Sequence, residues 1–128
     1  GLLGHPQAIG QAFHISSDFV LNWNQVYEQI GAALGVPPKI VHIPSDFIAR
    51  LEPATGAGLL GDKMWSVIFD NSKIKRLVPD FQCSIPFSRG AEEILAWYNA
   101  DPERRTVNTR FNEICDCILE SYAKAWPK

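Results

Sequence analysis

The residue run with the most obvious chemical potential is Gly56-Ala57-Gly58-Leu59-Leu60-Gly61, a literal G-x-G-x-x-G. In a dinucleotide site the first glycine follows a buried strand and the last opens a helix. The pyrophosphate then rests on that helix's free N–H groups. The context here differs. Arg50-Leu51-Glu52-Pro53-Ala54-Thr55 precedes the run and does not read as a strand. No strand–helix–strand unit follows, and Asp80, near the ribose-binding distance, falls in a loop. The run therefore reads as part of a flexible Gly-Pro-Ala loop from Glu52 through Gly61, one able to close over a ligand.

Two polar clusters are the candidate substrate contacts. His14, Ser16, Ser17 and Asp18 stand together at the end of an extended segment, a common place for ligands to bind. Asp62 and Lys63 follow the glycine run and are suited to holding hydroxyls or a phosphate. Trp65 lies beside them and is the tryptophan placed to stack on a ligand, whereas Trp23, Trp97 and Trp126 read as packing residues. For both clusters the plainer reading is solvated turn or surface charge. A third polar run, Asp70-Asn71-Ser72-Lys73, has a structural explanation: a carboxylate and an amide at a helix start satisfy free N–H groups and oppose the dipole.

Several catalytic arrangements are missing. A phenol activated by a lysine one helical turn away needs Tyr-x-x-x-Lys. Tyr27, Tyr98 and Tyr122 are followed at that spacing by Gly31, Pro102 and Trp126. There is no G-x-S-x-G elbow for a serine nucleophile. His5, His14 and His42 show no paired-ligand spacing, and His14 and His42 read as hydrogen-bonded structural histidines. Cys115-Asp116-Cys117 is a C-x-C whose side chains would diverge by about 200° on a helix. No metal site is assigned.

The elements that must position these residues follow from periodicity. Ala12–Ser16, Lys39–Ile43 and Val67–Phe69 read as three short strands. Asn22 with Gln25 forms a capping-box pattern before a helix bearing Val26, Tyr27, Ile30 and Leu34, with Gly35 as its stop. Ser45 reads as the cap of a short helix with Phe47, Ile48 and Leu51 on one face. Further helices are expected after Asn71, carrying Ile74, Leu77 and Val78, and from Pro86 to about Ala100, with Phe87, Ala91, Ile94, Leu95 and Tyr98 inward. The last is expected from Asn108 to Ala125, with Phe111, Ile114, Cys115, Ile118 and Tyr122 inward. The expectation is one helix-rich α+β domain over residues 1–128, with two or three short strands and no Rossmann domain.

Composition limits the partners. The 128 residues carry a net charge of −2 and 46% hydrophobic residues, enough apolar content for a folded core and no bulk attraction for nucleic acid. No apolar run reaches the length of a membrane span, and no signal peptide is visible. Three cysteines, an odd number, read as reduced thiols in a cytoplasmic protein. Gly1 is not an initiator Met, which suggests a piece of a longer chain.

The order of these elements resembles one known family. Phe13-His14-Ile15-Ser16 and the following Trp23–Leu34 helix resemble the "Y-N-I-G" strand and helix of extended short-chain dehydrogenase/reductases, the NAD-dependent epimerase/dehydratases. Lys39–Ile43 resembles their next strand. Gly61-Asp62 and the run Phe69-Asp70-Asn71-Ser72-Lys73-Ile74-Lys75-Arg76-Leu77 resemble their "G-D … D-x-S-K-A-x-x-x-L-G-W" stretch, with Phe81 near the Trp position. Ile85-Pro86-Phe87 through Trp97-Tyr98 resembles their "S-L-E-E-G-L-x-x-T-x-x-W" helix. The match covers residues 8 to 100, leaving 101–128 as an extra C-terminal helix. Where nucleotide-diphosphate binders often carry an Arg near the Gly-Asp, Leu59 and Leu60 stand here, and the nearest cation is Lys63.

All matched elements belong to that family's C-terminal, substrate-binding lobe. The resemblance implies a partner Rossmann domain that carries NAD(P) and the Tyr/Lys pair. It implies a small-molecule substrate such as a nucleotide sugar, bound by His14, Ser16, Ser17, Asp62, Lys63 and Trp65. By itself the chain is expected to hold no cofactor, to be catalytically incomplete, and to self-associate, plausibly as a dimer, through surface meant for the other lobe. The alternative is a stand-alone, non-catalytic binding or interaction module with the same fold.

Overall fold

The computed structural model describes residues 1–125, so the role expected for Trp126 lies outside the described residues. Among the described residues there are six α-helices: α1 (Trp23–Leu34), α2 (Ser45–Leu51), α3 (Pro53–Gly58), α4 (Ser72–Leu77), α5 (Phe87–Asn99) and α6 (Thr109–Ala125). Short 3-10 turns occupy Pro6–Ala8 and Pro102–Arg104, and a π-helical turn occupies Leu59–Lys63. The helices divide between two compact units. One comprises residues 1–38 and 67–97; the other comprises residues 39–66 and the chain from Tyr98 onward.

The α+β expectation fails. Among the described residues there is no strand. Residues 12–16, 39–43 and 67–69 lie outside the helices, and none joins a ladder. Period-2 patterning reports which residues tolerate an extended backbone. A strand also needs a neighbour to receive its N–H and C=O groups. Segment 39–43 is in a different unit from the other two. Segments 12–16 and 67–69 share a unit, but side chains rather than a backbone ladder connect the region around them.

The first unit shows why local signals placed its helices well. Asn22 and Gln25 each accept the other's backbone N–H, so the capping box forms and α1 starts where the pattern put it. Gly35 takes the left-handed conformation at φ 69° and ends the helix. Gly31 is buried one turn earlier. A β-carbon there would lie 2.7 Å from both the Val36 carbonyl oxygen and Pro38 Cδ, so the return of the chain after α1 depends on its absence. Ile74 of α4 and Ala91 of α5 are this unit's buried apolar side chains. Ile94, expected inward on α5, is largely exposed.

In the second unit α2 begins at its expected cap residue, one position earlier than the pattern placed the first helical residue. Pro44 occupies the cap position, without a side-chain capping bond, and Ser45 is the first helical residue. Phe47 of α2 meets Tyr122 of α6 edge to face at 5.3 Å. Ile118 is the buried apolar residue of α6, while Phe111, expected inward, is exposed.

The glycine-rich stretch is the second correction, because it is helical rather than a loop. Pro53 suits the first turn of α3, since a missing N–H costs nothing there. Gly56 is buried against α2. A β-carbon on Gly56 would sit 2.3 Å from both Cα and Cβ of Ala49, so the two short helices approach each other at a glycine. Gly58 and Gly61 face open space, with nothing within 4 Å of a hypothetical Cβ. The three glycines therefore do different things.

That difference is testable by thermal or urea unfolding. Gly56→Ala is expected to lose about 1–3 kcal/mol, because the obstructing atoms are helix backbone and Cβ that cannot rotate away. Gly58→Ala, with φ −67° and open surroundings, is expected to gain about 0.4–1 kcal/mol by restricting the unfolded chain. Equal effects at the two positions would contradict the packing role of Gly56.

Candidate functional site

The polar residues of the first unit converge on Asn71. This side chain is only 5% exposed, and it is the one buried polar residue among the described residues. It precedes α4, where the sequence pattern predicts capping, yet it makes no capping bond. Its amide turns instead to the segment 55 positions earlier in the chain. Nδ2 donates to the Ser16 carbonyl at 2.7 Å and to Asp18 Oδ1 at 3.3 Å. Oδ1 accepts the Ser16 backbone N–H at 3.3 Å and the Ser16 hydroxyl at 3.1 Å. A carboxamide offers the same donor and acceptor as a peptide group. Asn71 thus fills, for Ser16, the role that a neighbouring strand would have filled.

The capping is done next door. Asp70 Oδ1 accepts the Ser72 backbone N–H and Oδ2 accepts the Ser72 hydroxyl, both at 2.8 Å. These two bonds, the backbone one first, hold the Asp70 carboxyl below the usual carboxylate range. Further along α4, Lys75 Nζ reaches both oxygens of Asp18 at 2.8 Å. That bond, then the one from Asn71, lowers the Asp18 pKa as well. Lys73 Nζ donates to Gln11 Oε1 at 3.0 Å and to the Ala12 carbonyl at 2.9 Å, lying 4.8 Å from the centre of the Phe13 ring. Three side chains in and just before α4 therefore hold residues 11–18.

This attachment frames an open cleft of about 650 Å³. Its polar lining residues include Ser16, Ser17, Asp18, Asp70, Asn71 and Lys75. Its apolar lining residues include Phe19, Val20, Val67, Ile68 and Phe69. A smaller cleft of about 370 Å³ adjoins it and shares Asp18, Phe19 and Lys75. Ser17 Oγ accepts the Phe19 N–H at 3.0 Å, which fixes the turn into the apolar lining residues. His14 is not part of the lining; its ring packs edge-on against Phe69 at 4.9 Å.

Of the sequence-derived contacts, the structure brings Ser16 and Ser17 to the cleft and sets His14 behind it. Asp62, Lys63 and Trp65 belong to the other unit. Asp62 and Lys63 form an ion pair with each other at the π-helical turn, with both side chains 68% exposed. An exposed pair of this kind contributes little to stability. Trp65 follows the turn and is 66% exposed. The glycine run, helical from Pro53 and preceded by α2 rather than a strand, does not have the form of a pyrophosphate cradle. Asp70, Asn71 and Lys75 were legible only as cap and helix residues. The complementary charges of Asp18 and Lys75 were the available signal, but one sequence does not say which charges meet across 57 positions.

Among the described residues no group of three or more His, Cys, Asp or Glu could hold a metal ion, and no helix is long and apolar enough to cross a membrane. Cys83, Cys115 and Cys117 are all free thiols.

Comparison with known proteins gives one informative likeness. The chain is 34% identical over 82 residues to 2'-dehydrokanamycin reductase of Streptomyces kanamyceticus. The alignment covers 63% of this chain and 23% of that enzyme, so the chain spans about a quarter of its relative's length. No family model matches, and no solved structure matches.

Two outcomes are expected of the Asn71 attachment. Asn71→Ala should lose about 2 kcal/mol, because it strands the peptide groups of Ser16 in a partly buried place. Asn71→Asp should also be destabilised, since it removes the donor and sets a second carboxylate beside Asp18, and acid should partly restore it. Wild-type stability from Asp18 and Asp70 should be complete above the unfolded carboxylate range near pH 3.9 and fall as pH drops through their lower folded values. Urea titrations across that window check both. Asp18→Asn should lessen the acid-dependent fall; an unchanged profile would contradict the bond to Lys75.

Proposed function

We propose that the chain is the substrate-binding, C-terminal part of a cytoplasmic NAD(P)-dependent oxidoreductase of the extended short-chain dehydrogenase/reductase type. The observation that carries this reading is the 34% identity to a reductase some four times as long as the matched segment. Among epimerisation, dehydration and reduction, that likeness favours reduction of a carbonyl. A nicotinamide held by a Rossmann domain, the partner of this chain in the reading proposed, would supply the hydride. The residues here bind and orient substrate.

The cleft of the first unit fits that division of labour. Ser16 and Ser17 offer hydroxyls, Asp18 and Asp70 offer acceptors, and Phe19 with Phe69 offers flat apolar surface. Such a mixture suits a sugar ring, which presents hydroxyl edges and C–H faces. Asp62, Lys63 and Trp65 remain candidates for a second set of contacts, supported by their exposure and by the resemblance around Gly61-Asp62.

The exposed apolar surface supports a missing partner. Val67, Ile68 and Phe69 are three consecutive apolar residues with exposures of 62%, 72% and 55%. Consecutive exposed apolar side chains such as these suit an interaction site.

Calorimetry with NADH and NADPH is the direct test. No binding to this chain is expected, and micromolar affinity for either would overturn the reading. A second consequence concerns assembly. The isolated chain should self-associate in sedimentation experiments, and Ile68→Asp should shift it toward monomer. A clean monomer at high concentration would count against a buried role for that surface.

A further inference from the structure

The ionisable groups that line the larger cleft are Asp18, Asp70 and Lys75, which leaves it with one net negative charge. The cation is not free. Lys75 spends two of its three N–H groups on Asp18, at 2.8 Å each. The N–H groups that begin α4 would be the other natural place for an anion, but Asp70 already holds the Ser72 N–H and hydroxyl. The protein's own carboxylate therefore occupies the position a phosphate would take. Arg76 and His14 act on Asp70 from outside the lining and more weakly than Ser72 does. Each Asp70 oxygen accepts one bond from Ser72, and a carboxylate oxygen has capacity for a second. The lining also includes the uncharged rings of Phe19 and Phe69.

We propose that this cleft selects a positively charged polyhydroxylated ligand, an amino sugar, with the ammonium group toward Asp70 and the ring against the phenylalanine side chains of the lining, and that it discriminates against phosphorylated sugars. The inference rests on the substrate-binding reading above and names its ligand class. It departs from the nucleotide-sugar expectation, because a diphosphate would meet Asp18 and Asp70 with no uncommitted cation among the lining residues.

The test is a titration of the full chain with glucosamine, glucose and glucose 6-phosphate, followed by amide chemical shifts at slightly acid pH and low salt. Glucosamine is expected to bind about two- to five-fold more tightly than glucose, the range of one exposed charge pair, and glucose 6-phosphate more weakly than either. The perturbed amides should lie in residues 16–21 and 67–72. Added salt should reduce the glucosamine preference. Asp70→Asn should bring the glucosamine-to-glucose ratio to about one, and the ratio is insensitive to a general loss of affinity. Glucose 6-phosphate binding as tightly as glucosamine, or a ratio unchanged by salt and by Asp70→Asn, would overturn this inference and leave the substrate-binding reading standing. No perturbation by any of the three sugars would overturn both.

Discussion

The first unit depends on one carboxamide. Asn71 is buried, and all of its hydrogen-bonding capacity is directed at Ser16 and Asp18. A buried amide that is fully paired stabilises; the same amide half paired is costly, so such a residue has little freedom. Its placement determines the path of residues 14–18, and that path sets Ser16, Ser17 and Asp18 on the cleft. Lys73 and Lys75 extend the attachment on either side. The cleft is thus held by polar side chains from one short helix, in a unit whose buried apolar side chains are Ile74 and Ala91.

The capping of α4 shows how two demands on neighbouring residues are divided. A helix start needs acceptors for its free N–H groups, and the extended segment needs a partner for its peptide groups. Asp70 answers the first and Asn71 the second. The division has an electrostatic result. A carboxylate in the capping place makes that end of the cleft negative, while the neutral amide stays buried where a charge would be expensive.

The glycine run in the second unit carries a complementary lesson. Its spacing is that of a nucleotide fingerprint, but Gly56 is required by the nearness of Ala49, and Gly58 and Gly61 meet no neighbour. Glycine permits close approach whatever the approaching group is, whether phosphate or helix. The motif's meaning lies in what precedes and follows it, and here that is α2 and a π-helical turn.

Much of the helical layout was legible in the residues. The Asn22–Gln25 capping box, the Gly35 stop and the apolar spacing of α5 and α6 are local signals, and local hydrogen bonds satisfy a helix. Ser16 and Ser17, which line the cleft, were legible as exposed polar residues for a similar reason, since they end an extended run. That the three expected strands would not form was not legible, because pairing is a property of two segments and the sequence describes each alone. The positions of Phe111 and Ile94 were misjudged because a helical stripe says which residues share a face and not what covers it. Tertiary structure alone decided that Asn71 turns away from its own helix, that Asp18 meets Lys75, and that the cleft carries a net negative charge. Each joins residues more than fifty positions apart, or sums charges from such residues, and only the folded chain sets those distances.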